Sequence, residues 1–314
     1  MLTPDEIDWG YRYMLDRDPR SEEISCLLLD PITRTQLRQR LLSSNEFASR
    51  EKVIGHTSKW VITEIFGGEM KIWIDLADKY VSYGCLIDNY EPQETTAFRQ
   101  LLRPGFHVID VGANVGWFTF LAALCTGQEG RVTAIEPRAP TVDYLRRSVC
   151  LNRLEHRITV LGNAVGDRSG TVSLIWHPTS HNPGNTYLGE PDENAEGQIV
   201  EMLELDALLG GARLDCIKID IEGAEGLALL GAVAILRENR PFILCEINPA
   251  ALRMVSDMSV EDFLRLICAQ GYIPFSLDDH AGLARLEGLP EFGTRELINV
   301  VLAHKERLPV PSLP

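Results

Sequence analysis

The chain has no apolar stretch approaching the roughly 20 residues that a membrane-spanning helix requires. Its opening, MLTPDEIDWGY, lacks the basic and apolar segments of a secretory leader. The seven cysteines include no Cys-x-x-Cys pair, so neither zinc spacing nor a disulfide framework organises the fold. Cys125, Cys150, Cys216, Cys245 and Cys268 lie in apolar strand or helix contexts and read as free thiols in a reducing compartment, which makes the expected location cytoplasmic. Positive charge is scarce as well. With 30 Lys and Arg against 45 Asp and Glu, the net charge of −15 supplies no cationic footprint for nucleic acid or an anionic membrane. There is no internal repeat, and the one biased piece is the proline-rich end of 307–314, expected to be a disordered tail. What remains is ordinary globular usage, 314 residues with 45% hydrophobic and 24% charged, enough for one large α/β domain and a smaller appendage.

Residues 108–118, VIDVGANVGWF, carry the most information. An apolar run with one acid, Asp110, breaks into Gly112, Ala113, Asn114 and Gly116 ahead of a helix-like segment. That pattern predicts a buried strand, a tight turn and a helix N-terminus whose backbone N–H groups can approach a ligand. The spacing D-x-G-x-N-x-G matches neither the phosphate loop GxxxxGK[ST] nor the dinucleotide fingerprint GxGxxG. An acid inside the turn also repels a pyrophosphate; it suits a ligand with an ammonium group and ribose hydroxyls, such as S-adenosylmethionine. The next apolar run, RVTAIEP, ends in Glu136 and Pro137 about 20 residues on, where a carboxylate accepts both ribose hydroxyls of an adenosine.

From Gly105 onward strands and helices alternate, which predicts right-handed parallel βαβ units with ligands at the carboxyl ends of the strands. The segment AEGLALLGAVAILREN reads as one helix. In KIDIEGAE, Asp220 and Glu222 stand two apart and share a face if the chain is still extended there. Converging carboxylates raise one another's pKa, so either is a candidate general base for an alcohol. The alternatives are that Glu222 caps the following helix and that Asp220 orients the cofactor's ammonium group. With Glu246, the pair is also able to offer oxygen ligands to a divalent ion such as Mg²⁺. His181, in the polar loop HPTSHNPGNTY, is a second candidate base or else a surface histidine. Upstream, WVITEIF and MKIWIDL around GGE predict a hairpin covering the cofactor side of the sheet.

The blocks YEP (90–92), VIDVGANVG, AIEP, GNAVGD (162–167), KIDIEGAE and CEIN (245–248) together resemble the FkbM-type S-adenosylmethionine-dependent methyltransferases, over roughly residues 60–306. The resemblance implies a class I methyltransferase fold, a mostly parallel Rossmann-like sheet with helices on both faces. It also implies O-methylation of a sugar, glycan or natural-product hydroxyl. It places Glu91 near the methionine end of the cofactor, although Glu91 also fits a helix cap before TTAFRQLL, and sets Asn163 and Ala164 against the adenine. The expected division is a helical N-terminal domain at 1–52, a hairpin and linker at 53–98 and the methyltransferase domain at 99–306. The first 50 residues open on Thr3, Pro4 and Glu6 as a helix start and continue in RTQLRQRLLSSNEFAS. The pattern YxxxLxRxP…LLSSxEF is similar to a small helical domain found beside bacterial glycan enzymes.

An amide or nucleic-acid N-methyltransferase would be expected to show an (N/D)PPY-type motif where this chain has DIEG. A rival of another class is a non-catalytic S-adenosylmethionine-binding partner of a glycan-assembly system.

Overall fold

The computed structural model describes residues 60–176, 186–189, 196–208, 212–277, 282–286 and 298–308, together with 17–29 and residues 3, 4, 7, 11, 33, 36, 37, 40 and 41. Near the N-terminus, helix α1 spans Ser21–Leu29. Gln36 N donates to Thr33 Oγ1 at 3.2 Å and Thr33 N donates back to Gln36 Oε1 at 2.8 Å, a capping box at the start of the second helical run. Ile7, Tyr11, Leu27, Leu37 and Leu41 bury one another in a small core of their own.

Strands β1 (Trp60–Ile65) and β2 (Met70–Asp75) pair antiparallel, joined through Gly67 and Gly68 at positive φ, as the GGE signal predicts. Helices α2 (Val81–Leu86) and α3 (Pro92–Leu101) follow. The chain then alternates through β3 (His107–Val111), α4 (Trp117–Thr126), β4 (Arg131–Ile135), α5 (Ala139–Leu151) and β5 (Ile158–Leu161). Strands β6 (Ala164–Val165), β7 (Gly170–Trp176), β8 (Thr186–Leu188) and β9 (Glu196–Leu203) make a second sheet. After them come β10 (Cys216–Ile219), α6 (Glu225–Leu230), α7 (Val233–Glu238), β11 (Phe242–Ile247), α8 (Pro249–Ser256) and α9 (Val260–Ala269). Strands β12 (Tyr272–Leu277), β13 (Leu283–Arg285) and β14 (Ile298–His304) close the fold.

Among the described residues the main sheet has the order β13-β12-β14-β11-β10-β3-β4-β5. The five strands from β11 to β5 are parallel, and β14 runs antiparallel to both of its neighbours. From β3 the chain builds outward to β4 and β5, then returns to place β10 and β11 on the other side. The reversal between β3 and β10 is where an open α/β sheet leaves a crevice. Strand periodicity splits the core in two. Val108, Ala134, Cys216 and Leu244 face the hairpin and α2 to α5, while Ile109, Ile135, Ile217 and Ile243 face α6 to α9.

The structure departs from the sequence reading in three places. The single helix expected over AEGLALLGAVAILREN is two. At Gly231 a Cβ would lie 2.1 Å from the Gly166 carbonyl oxygen, so the backbones touch there, and Asp206 accepts from Ala234 N (2.9 Å) and Ile235 N (2.8 Å) to start the second helix. Helix α8 is additional, begun by Asn248, whose Oδ1 accepts from Ala250 N and Ala251 N. Finally, the strand–helix alternation expected from Gly105 onward is interrupted after GNAVGD, where the described residues form a separate four-stranded sheet.

The hairpin docks on α5. Trp73 N donates to Ser148 Oγ at 2.9 Å and Lys71 N to Asn152 Oδ1 at 3.0 Å, while Trp60 stacks on Tyr144 with ring centroids 3.9 Å apart. Side chains of a helix thus satisfy backbone donors at the edge of a two-stranded ribbon, an edge that would otherwise stand open.

Candidate active site

The carboxyl ends of β3, β4, β5, β10 and β11 open onto one cavity of about 520 Å³, within the size range of small-molecule sites. Its floor is the glycine turn. Gly112 and Ala113 both donate their N–H groups to Ile135 O (2.9 and 3.0 Å), tying the turn to the end of β4. Asn114 N donates to Glu136 Oε2 at 3.0 Å and Arg138 N to Glu136 Oε1 at 2.9 Å, so the glutamate's direction is fixed by backbone on both sides. Each carboxylate oxygen keeps a lone pair for a further donor. Burial raises the Glu136 carboxyl to about 7. Pro137 lines the cavity beside Glu136, and Asn163 and Ala164 line it beyond β5.

Gly112 leaves room for something other than a ligand. At φ +81° its missing Cβ would sit 1.9 Å from the backbone oxygen of Asp220, so the glycine lets the β3 turn pack directly on the end of β10. Gly116, at φ +101°, does not line the cavity; a Cβ there would meet Leu145 and Phe120, which makes it a helix-packing position.

Asp110 is likewise absent from the cavity wall. Strand parity turns it beneath α4, where Thr119 Oγ1 donates to Asp110 Oδ2 at 2.5 Å and burial raises its pKa. Its Oδ1 is buried without a hydrogen-bond partner. Opposite Asp110 in register stands Lys218, 5% exposed, with Nζ 2.7 Å from Asp220 Oδ2 and 4.7 Å from the centre of the Phe118 ring. The neighbouring carboxylates Asp220, Glu91 and Asp110 outweigh burial and push the Lys218 ammonium to a higher pKa than an ordinary lysine.

Glu91 enters from the segment before α3. It does not cap that helix with its side chain. Instead Thr95 Oγ1 donates to Tyr90 O (2.8 Å) and accepts from Trp117 Nε1 (2.8 Å), pinning Tyr90 and Glu91 to the start of α4. Glu91 (φ 41°), Asn114 (φ 49°) and Glu222 (φ 52°) are three of the eight described non-glycine residues at positive φ, and all three line this cavity. Backbone strain of that kind collects at functional sites.

The sequence premise for Asp220 and Glu222 fails in detail, because β10 ends at Ile219 and Glu222 adopts a left-handed conformation. Both nevertheless line the cavity. Glu222 makes no hydrogen bond or ion pair among the described residues, and burial together with Asp220 raises its carboxyl to about 7. The capping role belongs to Glu225, whose Oε1 accepts from Ile221 N (3.0 Å) and Gly223 N (3.2 Å). Burial and Asp220 raise Glu246 to about 9. As for a divalent ion, the oxygens that lie within 4.8 Å of one another come from Glu91, Asp220 and Glu246, with Glu91 in the place expected of Glu222. The resident cation of that corner is the Lys218 ammonium, already bonded to Asp220. His181 lies outside the described residues.

Two residues at or beside the site escape the sequence reading, Lys218 and Glu225. A lysine inside the apolar run LDCIKID is a signal, since a buried strand tolerates an ammonium only beside carboxylates. Glu225 carries none, because an acid in the first turn of a helix is ordinary.

These shifts give a pH prediction. Glu91, Glu136, Glu222 and Glu225, each raised to about 7, and Glu246, raised to about 9, hold protons in the folded state that the unfolded chain has already lost. Stability therefore falls as pH rises from the unfolded carboxylate value near 4.5 through 7. His107 and His304, with lowered values, act in the opposite sense but are only two. Denaturant melts of the ligand-free protein should give a lower unfolding free energy at pH 8 than at pH 5.5; an equal or higher value at pH 8 would refute the assignment.

The strand order, with an antiparallel β14 between β11 and β12 and a ligand-sized crevice at the reversal, defines a class I methyltransferase fold. A family model described as the methyltransferase FkbM domain matches residues 110–274, and the chain belongs to that family. The ribosomal protein L11 methyltransferase of Geobacillus kaustophilus is 39% identical over 71 residues, covering 23% of this chain and 22% of that protein. The methyltransferase sdnD of Sordaria araneosa is 27% identical over 156 residues, covering 40% of this chain and 59% of that one. The chain thus spans between 22% and 59% of the length of these curated relatives. A solved FkbM methyltransferase from Methylobacillus flagellatus KT is 17% identical, with a TM-score of 0.46 covering 95% of this chain and 61% of that one. No described helix is long and apolar enough to cross a membrane.

Proposed function

We propose that the protein binds S-adenosylmethionine in this cavity and transfers its methyl group to a hydroxyl of a sugar, glycan or natural-product acceptor. The observation that carries the reading is the Glu136 carboxylate, held by two backbone N–H groups beside the glycine turn, at one end of a cavity whose other end presents Glu222 with its carboxyl at about 7. The cofactor, when bound, supplies an electrophilic methyl carbon, so the protein has only to align the acceptor and take its proton. Glu136 accepts from the ribose hydroxyls. Gly112, Ala113 and Asn114 form the floor, Pro137 flanks the ribose, and Asn163 and Ala164 border the adenine. Glu222, free of internal partners among the described residues, takes the hydroxyl proton; Asp220, paired with Lys218, positions. The acceptor enters past Tyr80, Thr186 and Leu188 from the hairpin side and the second sheet.

Glu136→Ala is expected to weaken S-adenosylmethionine binding by about 1.5–3 kcal/mol, tenfold or more, because charge-assisted hydrogen bonds to the ribose are lost. Titration calorimetry reads this directly, and an unchanged affinity removes Glu136 from the site. Formation of S-adenosylhomocysteine with hydroxylated acceptors, and its absence without them, tests the transfer. Binding of the cofactor without turnover on any acceptor would favour a non-catalytic binder.

A further inference from the structure

We propose that the acidic wall formed by Glu91, Asp220 and Glu222 makes the cavity selective for charge, holding an adenosyl ligand that is positive at the methyl-bearing position more tightly than the neutral demethylated product. This rests on the reading that the cavity takes S-adenosylmethionine.

The placement follows from strand order. Along the sheet the relevant ends run β5, β4, β3, β10, β11. Asn163 and Ala164 follow β5, Glu136 follows β4, the glycine turn follows β3, Asp220 and Glu222 follow β10, and Glu246 is near the end of β11. A ligand with its adenine toward β5 and its ribose on Glu136 must send its 5′ substituent across the turn toward β10 and β11. The sulfur then comes to the part of the cavity where the carboxylates gather.

Charge there is unbalanced. Among the described residues the carboxylates of Glu91, Asp220 and Glu222 share one ammonium, Lys218, whose hydrogen bond is to Asp220, while Glu246, raised to about 9, keeps its proton at pH 8. The Glu222 carboxylate has no hydrogen bond or ion pair among the described residues. The other described cation lining the cavity, Arg138, stands on the β4 side, its guanidinium 5.5 Å from the centre of the Trp176 ring. A sulfonium relieves the mutual repulsion of these carboxylates; a thioether does not. At separations of several ångströms and an effective dielectric near 20, one such interaction is worth about a tenfold or greater difference in affinity.

Calorimetry on the full chain at fixed pH 8 and fixed salt tests this with three probes. They are S-adenosylmethionine, S-adenosylhomocysteine, and sinefungin, which carries an ammonium group in place of the methylsulfonium. The expected result is that S-adenosylmethionine and sinefungin both bind about tenfold or more tightly than S-adenosylhomocysteine. Glu91→Gln and Glu222→Gln, which remove groups that are ionised at pH 8, should each narrow that ratio by about threefold or more while leaving S-adenosylhomocysteine affinity in place, which also shows that the variants are folded. Homocysteine-form binding as tight as or tighter than the methylated form overturns the proposal, as does a ratio that survives both substitutions. If none of the three probes binds, the cofactor reading itself falls, a result distinguishable from loss of selectivity among ligands that all bind.

Discussion

Glu222→Gln is expected to lower turnover by about 10²–10⁴ while cofactor affinity changes by no more than about tenfold. Glutamine keeps the shape and hydrogen-bonding capacity of the side chain and removes its basicity. The wild-type rate should rise with pH through about 7, where the Glu222 carboxyl ionises, and the variant should lose that rise. Asp220→Asn is the poorer experiment although Asp220 is the nearer residue to the strand. It leaves the buried Lys218 ammonium without its partner at 2.7 Å, and breaking a buried pair costs on the order of 3–5 kcal/mol, so any loss of rate would mix chemistry with folding. His181→Ala completes the comparison. Near-normal turnover in Glu222→Gln together with a large loss in His181→Ala would move the base from the strand end to the polar loop.

Gly112→Val is expected to lower cofactor affinity by more than about 10² and thermal stability by several degrees, and Gly112→Ala to produce the same effects in weaker form. The cause differs from simple occlusion of a ligand. The added Cβ meets the Asp220 carbonyl oxygen at 1.9 Å, and the φ of +81° is strained for any side chain. To relieve the clash the β3 turn must move from the end of β10, which displaces Asp220, whose N–H donates to Val111 O at 3.1 Å. Calorimetry and a melting scan of both variants test this. Normal affinity and normal melting in the Gly112→Val variant would mean that the two strand ends are not coupled through this contact.

The parallel sheet was legible because its strands are continuous apolar runs, and the glycine turn because positive φ leaves so few residue choices. Glu136 was legible by its distance from that turn. Asp110 misled because an acid in a turn motif looks like a ligand contact, whereas one step along a strand reverses the face a side chain presents, and Asp110 looks at Thr119. The break between α6 and α7 was hidden because it depends on Gly231 meeting the backbone of Gly166, a contact between residues 65 positions apart. Glu91, Asp220 and Glu246 come from three separate segments, so their convergence on Lys218 is a property of tertiary topology, invisible to spacing along the chain.

The hairpin carries a consequence for what counts as a separable piece. Trp60, Asp75, Asp78 and Tyr80 form part of the cavity wall, and Val61, Ile65, Ile72 and Ile74 sit in the same apolar core as α3, α4 and the inner strands. All of these precede the matched stretch of 110–274. The unit that is recognisable by kinship is therefore smaller than the unit that can stand alone in water. A fragment trimmed to the shared motifs would keep the glycine turn and Glu136 yet surrender a side of its own binding chamber.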